Sequence, residues 1–195
     1  MQHNGPIHKF HLFIPYDYNF KIIIEFLSTW IPFLSRRDIK HLELLNYGTH
    51  VDQMPYTVLA CFKRLLNLHL SNVTFESGAL EGLISGCPLL EKLSIQFCEG
   101  FEYFDISVTT LKVLLLQFHQ EMKSICLKKA INLIDLTLKA TNGCVCIWFD
   151  QKFTKKHSKA FYWSMTRCLQ DAVCKYHSSN AAKKLVQLHE VSEIG

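Results

Sequence analysis

One short pattern recurs along this chain: three aliphatic positions separated by steps of three and then two residues. In residues 86–98, GCPLLEKLSIQFC, the pattern falls on Leu90, Leu93 and Ile95. A step of two places side chains on one face of a strand, whereas a step of three does not. The combination therefore predicts a strand that begins at a bend, and its recurrence decides which fold it specifies.

The same spacing appears in five further segments, one of them weaker than the rest. The clear copies are Ile39, Leu42, Leu44; Leu65, Leu68, Leu70; Leu111, Leu114, Leu116; and Leu133, Leu136, Leu138, and the weaker copy is Ile7, Phe10, Leu12. The middle positions lie at residues 10, 42, 68, 93, 114 and 136, so the period after a long first unit is 21 to 26 residues. This period is typical of leucine-rich repeats, whose unit is a short strand plus a helix or an irregular return.

A single repeat of this kind cannot bury its own apolar side chains, but stacked repeats bury them against one another. We therefore predict an α/β solenoid over residues 1–150, with a parallel β-sheet on the concave face and short helices or loops on the convex side. Cys98 stands where such repeats place Asn or Cys, at the turn that follows the strand.

The segments between the strands carry further predictions. ESGALEGLISGCP has helical spacing and stops at Gly86 and Pro88. A second amphipathic helix is expected between Asn19 and Arg36, with a kink or an early end near Ile31 because Pro32 lacks a backbone donor. The returns after Leu116 are too short for a full helix, so we expect turns or loops there.

Three motifs, GPIHKF, WIPFLSRRDIKHLEL and LEGLISGCPLLEKLSI, resemble plant F-box/LRR proteins, particularly the F-box/FBD/LRR class, across about residues 4–140. The resemblance implies the substrate-recognition subunit of an SCF-type E3 ubiquitin ligase, in which the F-box binds the Skp1 adaptor and the repeats hold a protein substrate. No F-box precedes Gly5, so Skp1 and cullin are expected as partners only if the full-length protein has an upstream F-box. The alternative is a free-standing or truncated LRR scaffold that binds partners without ligase assembly.

Side chains between the core leucines of each strand are predicted to point to the concave side. They form a central row of His11, Glu43, His69, Ser94, Leu115 and Thr137, flanked by Lys9, His41, Asn67, Lys92, Val113 and Asp135. With strands about 4.8 Å apart, this face is roughly 25 Å wide, which suits a protein segment better than a metabolite. The alternative is that most of these side chains are simply solvated.

The basic residues concentrate in the C-terminal part. Residues 1–150 contain 13 Lys and Arg against 14 Asp and Glu, whereas residues 151–195 contain 8 against 3. We predict a basic, helical tail over residues 151–195 that caps the solenoid, because six positions fall at helical spacing: Phe161, Met165, Cys168, Leu169, Ala172 and Tyr176. A patch that binds nucleic acid is the less favoured alternative.

Other function classes find little support in the sequence. Six Cys and His residues crowd the C-terminal third, but no CxxC pair is present, so free thiols are expected rather than zinc: Cys144, Cys146, His157, Cys168, Cys174 and His177. There is no phosphate-binding loop, HExxH or GxSxG motif, so we expect neither an enzyme nor a cofactor. Without a signal peptide or an 18-residue apolar run, we expect no membrane association and a reducing compartment, the cytosol or the nucleus.

Overall fold

The computed structural model describes residues 7–15, 25, 29–30, 33–34, 36–47, 53–54, 62–118, 122–140, 146–148 and 161–165. Within these ranges the strands are β1 Lys9–Ile14, β2 His41–Asn46, β3 Gln53–Met54, β4 Asn67–Ser71, β5 Thr74–Phe75, β6 Lys92–Gln96, β7 Tyr103–Asp105, β8 Val113–Phe118, β9 Ser124–Cys126, β10 Asp135–Ala140, β11 Cys146–Trp148 and β12 Phe161–Met165. A helix, α1, runs from Ala79–Ser85.

Seven of these strands form one parallel sheet in the order β1-β2-β4-β6-β8-β10-β12. The repeat leucines lie in register across it, as the sequence predicts. One row of paired positions is Phe10, Leu42, Leu68, Leu93, Leu114 and Leu136, and a second is Leu12, Leu44, Leu70, Ile95, Leu116 and Leu138. All of them are buried except Phe10 and Leu12, which are half-buried on the outermost strand β1. The predicted arrangement of stacked parallel strands is therefore confirmed.

A bend before each strand explains the step of three in the sequence pattern. The carbonyl of Glu91 accepts two hydrogen bonds from the next repeat, from the backbone N–H groups of Lys112 at 2.8 Å and Val113 at 3.0 Å. Five other carbonyls do the same in their repeats, those of His8, Lys40, Leu66 and Lys112 in the main sheet and that of Glu102 in the second sheet. The bend turns the residue before it inward, and the side chains at this position are fully buried: Ile39, Leu65, Leu90, Leu111 and Leu133.

The turn after β6 brings two repeats into close contact. The buried thiol of Cys98 donates to the carbonyl of Gln96 at 3.4 Å. Cys98 thus lies in the turn after the strand, where the sequence predicts it. Two residues later Gly100 has φ +94°, and a Cβ atom at this position would lie 2.0 Å from the carbonyl oxygen of Phe75. Only glycine fits there, because both the conformation and the space exclude a side chain.

The returns differ along the chain. Helix α1 buries Ala79, Leu80, Leu83 and Ile84, which confirms the helix predicted before Gly86. After Leu116, however, the expected turns and loops are wrong in part, since β9 pairs with β7 and β11 pairs with β9 in a second parallel sheet. Strands of three residues are too short to show a periodicity, and they form here because each pairs with the equivalent residues of the neighbouring repeat.

The N-terminal helical region agrees with the prediction where it is described. Glu25, Thr29–Trp30 and Phe33–Leu34 are helical, and the hydroxyl of Thr29 donates to the carbonyl of Glu25 at 3.1 Å. Leu34 is buried. Helical backbone is present at residues 33–34, and the predicted kink or early end near Ile31 falls on residues that the structure does not describe.

The predicted C-terminal helix is wrong over residues 161–165. These residues form β12, which pairs with β10 in the main sheet through Leu136 and Phe161 and through Ala140 and Met165. The outer edge of β10 offers unpaired backbone groups, and a run of three aromatic residues has a high propensity for strands. The rest of the predicted helix, beyond residue 165, lies outside the described residues, and the domain division at residue 150 stays a prediction.

Candidate partner-binding face

The side chains that alternate with the core rows form one continuous surface, which we call the ladder face. It has three rows: Lys9, His41, Asn67, Lys92, Val113 and Asp135; His11, Glu43, His69, Ser94, Leu115 and Thr137; and Phe13, Leu45, Ser71, Gln96, Gln117 and Lys139. None of these residues is buried. The register brings the residues of the first two rows together as the sequence predicts, while their role in binding stays a prediction. Sequence reasoning missed the third row, although the same alternation, continued by two residues, identifies it.

At the N-terminal end of the ladder face an ion pair joins β1 to β2. His11 Nδ1 lies 2.5 Å from Glu43 Oε2, and the two side chains are 46% and 32% exposed. Ion pairs at such exposure contribute about 0–1 kcal/mol to stability. The contact therefore adds little to stability. Its main consequence is that the Glu43 carboxylate already has a partner within the molecule.

His69 is adjacent to Glu43 in the register and is held neutral by its surroundings. Its Nε2 atom is buried and has no hydrogen-bond partner. Burial lowers the pKa of His69 below its usual 6.5, and the negative charge of Glu43 opposes this shift only in part. At pH 7 the imidazole therefore adds no charge to the ladder face.

A third imidazole is fixed by a neighbouring amide. Asn67 Nδ2 lies 2.8 Å from His41 Nδ1, across the β2–β4 pair. The amide nitrogen donates, so His41 Nδ1 accepts and the ring proton lies on Nε2. The N-terminal third of the ladder face thus satisfies most of its polar groups internally.

The middle strands β4 and β6 present a different chemistry. Their outward side chains include no carboxylate, and Gln96 Nε2 donates to Ser94 Oγ at 3.2 Å. The Ser94 oxygen is thereby used as an acceptor, which leaves its own hydrogen free to donate outward. Lys92 is exposed and has no ion pair within the described part of the chain.

On β8 the first two rows of the ladder face become apolar. Val113 and Leu115 are half-buried and point to the same side as the polar residues of β6 and β10. In the first row Val113 pairs with Lys92 on one side and with Asp135 on the other. The exposed Asp135 also has no ion pair among the described residues.

An aromatic pair stands at the end of β1 and β2. The ring centroids of Phe13 and Tyr47 are 4.8 Å apart, and the residues are 60% and 42% exposed. Large exposed aromatic side chains are enriched where proteins bind other proteins. The sequence analysis singled out neither residue: Phe13 belongs to the third row that it missed, and Tyr47 follows β2 and carries no periodic signal.

The described residues contain no group of three His, Cys, Asp or Glu side chains that could hold a metal ion. The six residues weighed for zinc lie outside the described side chains. Burial raises the pKa of the Cys87 and Cys98 thiols to about 12, so neither is a thiolate near neutral pH. Over the same ranges, no helix has the length and apolar character needed to cross a bilayer.

The chain is similar to plant F-box proteins that carry leucine-rich repeats. The family model of the LRR repeats of FBD-associated F-box protein At5g56370 matches residues 27–147. F-box/FBD/LRR-repeat protein At1g13570 of Arabidopsis thaliana is 29% identical over 157 residues, which are 70% of this chain and 36% of that protein. The putative F-box/LRR-repeat protein At5g02930 of the same plant is 33% identical over 75 residues, covering 38% of this chain and 15% of that protein.

F-box/LRR-repeat protein 25, also from Arabidopsis thaliana, is 28% identical over 75 residues, covering 38% of this chain and 27% of that protein. The chain thus spans about a third, or less, of the length of these relatives. No solved structure matches it. The resemblance drawn from the three sequence motifs is confirmed.

Proposed function

Because this chain belongs to the leucine-rich repeat family of the FBD-associated F-box proteins, we propose that it is the substrate-recognition part of an SCF-type E3 ubiquitin ligase. The ladder face holds the protein that is to be ubiquitinated. The observation that carries this proposal is the family match over residues 27–147, which includes five of the six repeat strands that build the face.

The shape of the ladder face supports a protein as the ligand. Six strands spaced about 4.8 Å apart give a surface roughly 25 Å across, which accommodates about seven residues of an extended segment. The face offers charged, hydrogen-bonding and apolar side chains in adjacent rows rather than one enclosed pocket. Such a mixed surface matches the composition of protein interfaces.

The proposed role is binding without catalysis. Ubiquitin transfer belongs to other ligase components, and a Skp1-type adaptor and a cullin are partners only if the full-length protein has an upstream F-box. The cytosol or the nucleus is the proposed site of action. If the chain works as an LRR scaffold instead, the ladder face still binds its partner but no adaptor joins the complex.

Two serine substitutions test this role. Ser94→Arg places a large cation at the centre of the ladder face, while Ser85→Arg places the same side chain on the exposed end of helix α1. The full-length protein carrying each substitution is expressed in plant cells, and bound proteins are identified by mass spectrometry. We expect Ser94→Arg to lose its substrate partners, Ser85→Arg to keep them, and both to retain Skp1 and cullin.

The outcomes separate the alternatives. Equal partner sets for the two variants, at equal melting temperatures, would exclude the ladder face as the binding surface. Partners that depend on Ser94 without Skp1 or cullin would identify the scaffold instead of the ligase. Accumulation of the partner in cells that express Ser94→Arg would support degradation as the purpose of binding.

A further inference from the structure

Lys92 on the ladder face differs from three cations elsewhere in the molecule. Outside this face, Lys112 pairs with Glu91 at 2.7 Å, Arg64 pairs with Asp38 at 3.1 Å, and Lys123 pairs with Glu102. Lys92, by contrast, stands at the middle of the seven-stranded sheet and has no ion pair in the described part of the protein. This exposed cation, between Asn67 on one side and Val113 on the other, is available for a negative charge from outside.

A complementary charge lies two strands away in the same row. The register places Lys92 beside Val113 and Val113 beside Asp135, so a cation, an apolar side chain and an anion follow one another across β6, β8 and β10. The next row repeats the apolar centre with Leu115 between Ser94 and Thr137. At two strand spacings the backbones of the charged residues are roughly 10 Å apart, and their side chains form no ion pair with each other.

We infer that this part of the ladder face binds an extended segment that carries an acidic residue and a basic residue three positions apart, with an apolar residue between them. The acidic side chain meets Lys92, the apolar side chain covers Val113 and Leu115, and the basic side chain meets Asp135. The segment adopts the polyproline II conformation, in which residues three positions apart lie on the same side and about 9 Å apart, close to the separation of the two charged residues. The inference rests on the proposed function, and it adds the chemistry of the bound segment.

Hydrogen bonding at Ser94 supports the assignment of the acidic residue to the β6 side. Because the Ser94 oxygen accepts from Gln96, the hydroxyl hydrogen points away from Gln96 and donates to an incoming carboxylate. Lys92 supplies the charge from the neighbouring row. The β1–β2 end of the ladder face is a poorer place for an acidic side chain, because the carboxylate of Glu43 on β2 would repel it.

Selection from a phage-displayed library of random 12-residue peptides tests the inference on the purified chain. With the natural sequence we expect enrichment of peptides with the acidic, apolar and basic pattern. Lys92→Glu should select peptides with basic residues at both ends, and Asp135→Lys should select peptides with acidic residues at both ends. A synthetic peptide selected on the natural chain should bind Lys92→Glu at least about tenfold more weakly, because like charges then face each other.

Matched controls place the same charge changes off the ladder face. Lys129→Glu lies in the turn before β10 and Asp105→Lys lies on β7 of the second sheet, and both residues are exposed. These variants should select the same peptides as the natural chain. All four variants should keep the melting temperature of the natural chain, as measured by circular dichroism.

Enrichment of peptides without the charge pattern would overturn the inference. So would a charge pattern that stays the same when the selection is repeated on Lys92→Glu and Asp135→Lys. If such peptides still fail to bind Ser94→Arg, the ladder face stands as the binding surface while the inferred chemistry is wrong. Absence of any enriched peptide also overturns the inference, and the capture experiment with the full-length protein then decides the proposed function separately.

Discussion

The two faces of the main sheet are built from the same strands but differ in the side chains that they present. On the inner face, five of the six residues in each core row are buried aliphatic side chains. On the ladder face, neighbouring strands present imidazole, carboxylate, amide, hydroxyl, ammonium and aliphatic groups in no repeated order. The uniform face holds the fold together, and the variable face is free to carry recognition, because its residues contribute little to packing.

The largest expected contrast comes from adjacent residues on opposite faces. Leu93→Asp buries an unpaired charge among the core leucines, so we expect a loss of more than about 4 kcal/mol and no cooperative unfolding. Ser94→Asp changes a half-exposed residue, and its effect should stay within about 0.5 kcal/mol. Thermal unfolding followed by circular dichroism measures both. Similar melting curves for the two variants would contradict the assignment of the faces.

A second contrast tests how closely the interior is packed at the backbone. Gly100→Ala forces a Cβ atom into the carbonyl of Phe75 and should destabilise the fold by more than about 2 kcal/mol. Gly78 also has a positive φ, +76°, but has nothing within 4 Å, so Gly78→Ala should cost only about 1 kcal/mol. Urea unfolding gives both free energies, and an equal cost would mean that conformation alone requires glycine at residue 100.

On the ladder face the expected effects are smaller and depend on pH. The pKa of His69 is lower in the folded protein than its ordinary 6.5, so below pH 6.5 the unfolded chain binds more protons at this residue. Its contribution to stability is therefore present above pH 6.5 and decreases as the pH falls towards the folded pKa. We expect the stability lost between pH 7.5 and 5.5 to be smaller in His69→Gln than in the natural chain. The exposed His8→Gln is the control, and an equal change in both variants would exclude His69 as the cause.

The smallest expected effect concerns the ion pair between β1 and β2. Glu43→Gln removes the charge that His11 contacts, and the free energy of unfolding should fall by about 1 kcal/mol or less, because both groups are partly exposed. Urea unfolding at low and high salt measures this, and the difference from the natural chain should shrink at high salt. A loss as large as that expected for Gly100→Ala would show that the ladder face contributes to folding as much as the interior does.

Sequence reasoning succeeded where a physical period repeats. Leu42, Leu68, Leu93 and Leu114 were identifiable because each strand must alternate its faces and each repeat must bury the same positions. The outward residues of the first two rows followed from the same alternation. Their contacts did not, since the pairing of His11 with Glu43 depends on side-chain conformations that no spacing encodes.

The elements that the sequence analysis predicted wrongly share one cause, which is pairing between segments that are distant in the sequence. The second sheet of β7, β9 and β11 exists because each three-residue strand finds an equivalent partner in the next repeat. β12 was predicted as part of a helix because its apolar residues also fit a helical period, and the available edge of β10 decided the outcome. Local periodicity does not report which edges the rest of the chain leaves open.

The carbonyl that accepts two backbone hydrogen bonds at the start of each strand has an evolutionary consequence. Alignment between neighbouring repeats is secured by main-chain atoms and inward leucines, neither of which changes when an outward residue mutates. Single mutations on the exposed rows can therefore accumulate without changing the packing of the repeats. A gene duplicated from this one could diverge rapidly in the ligands it captures while its architecture stays constant.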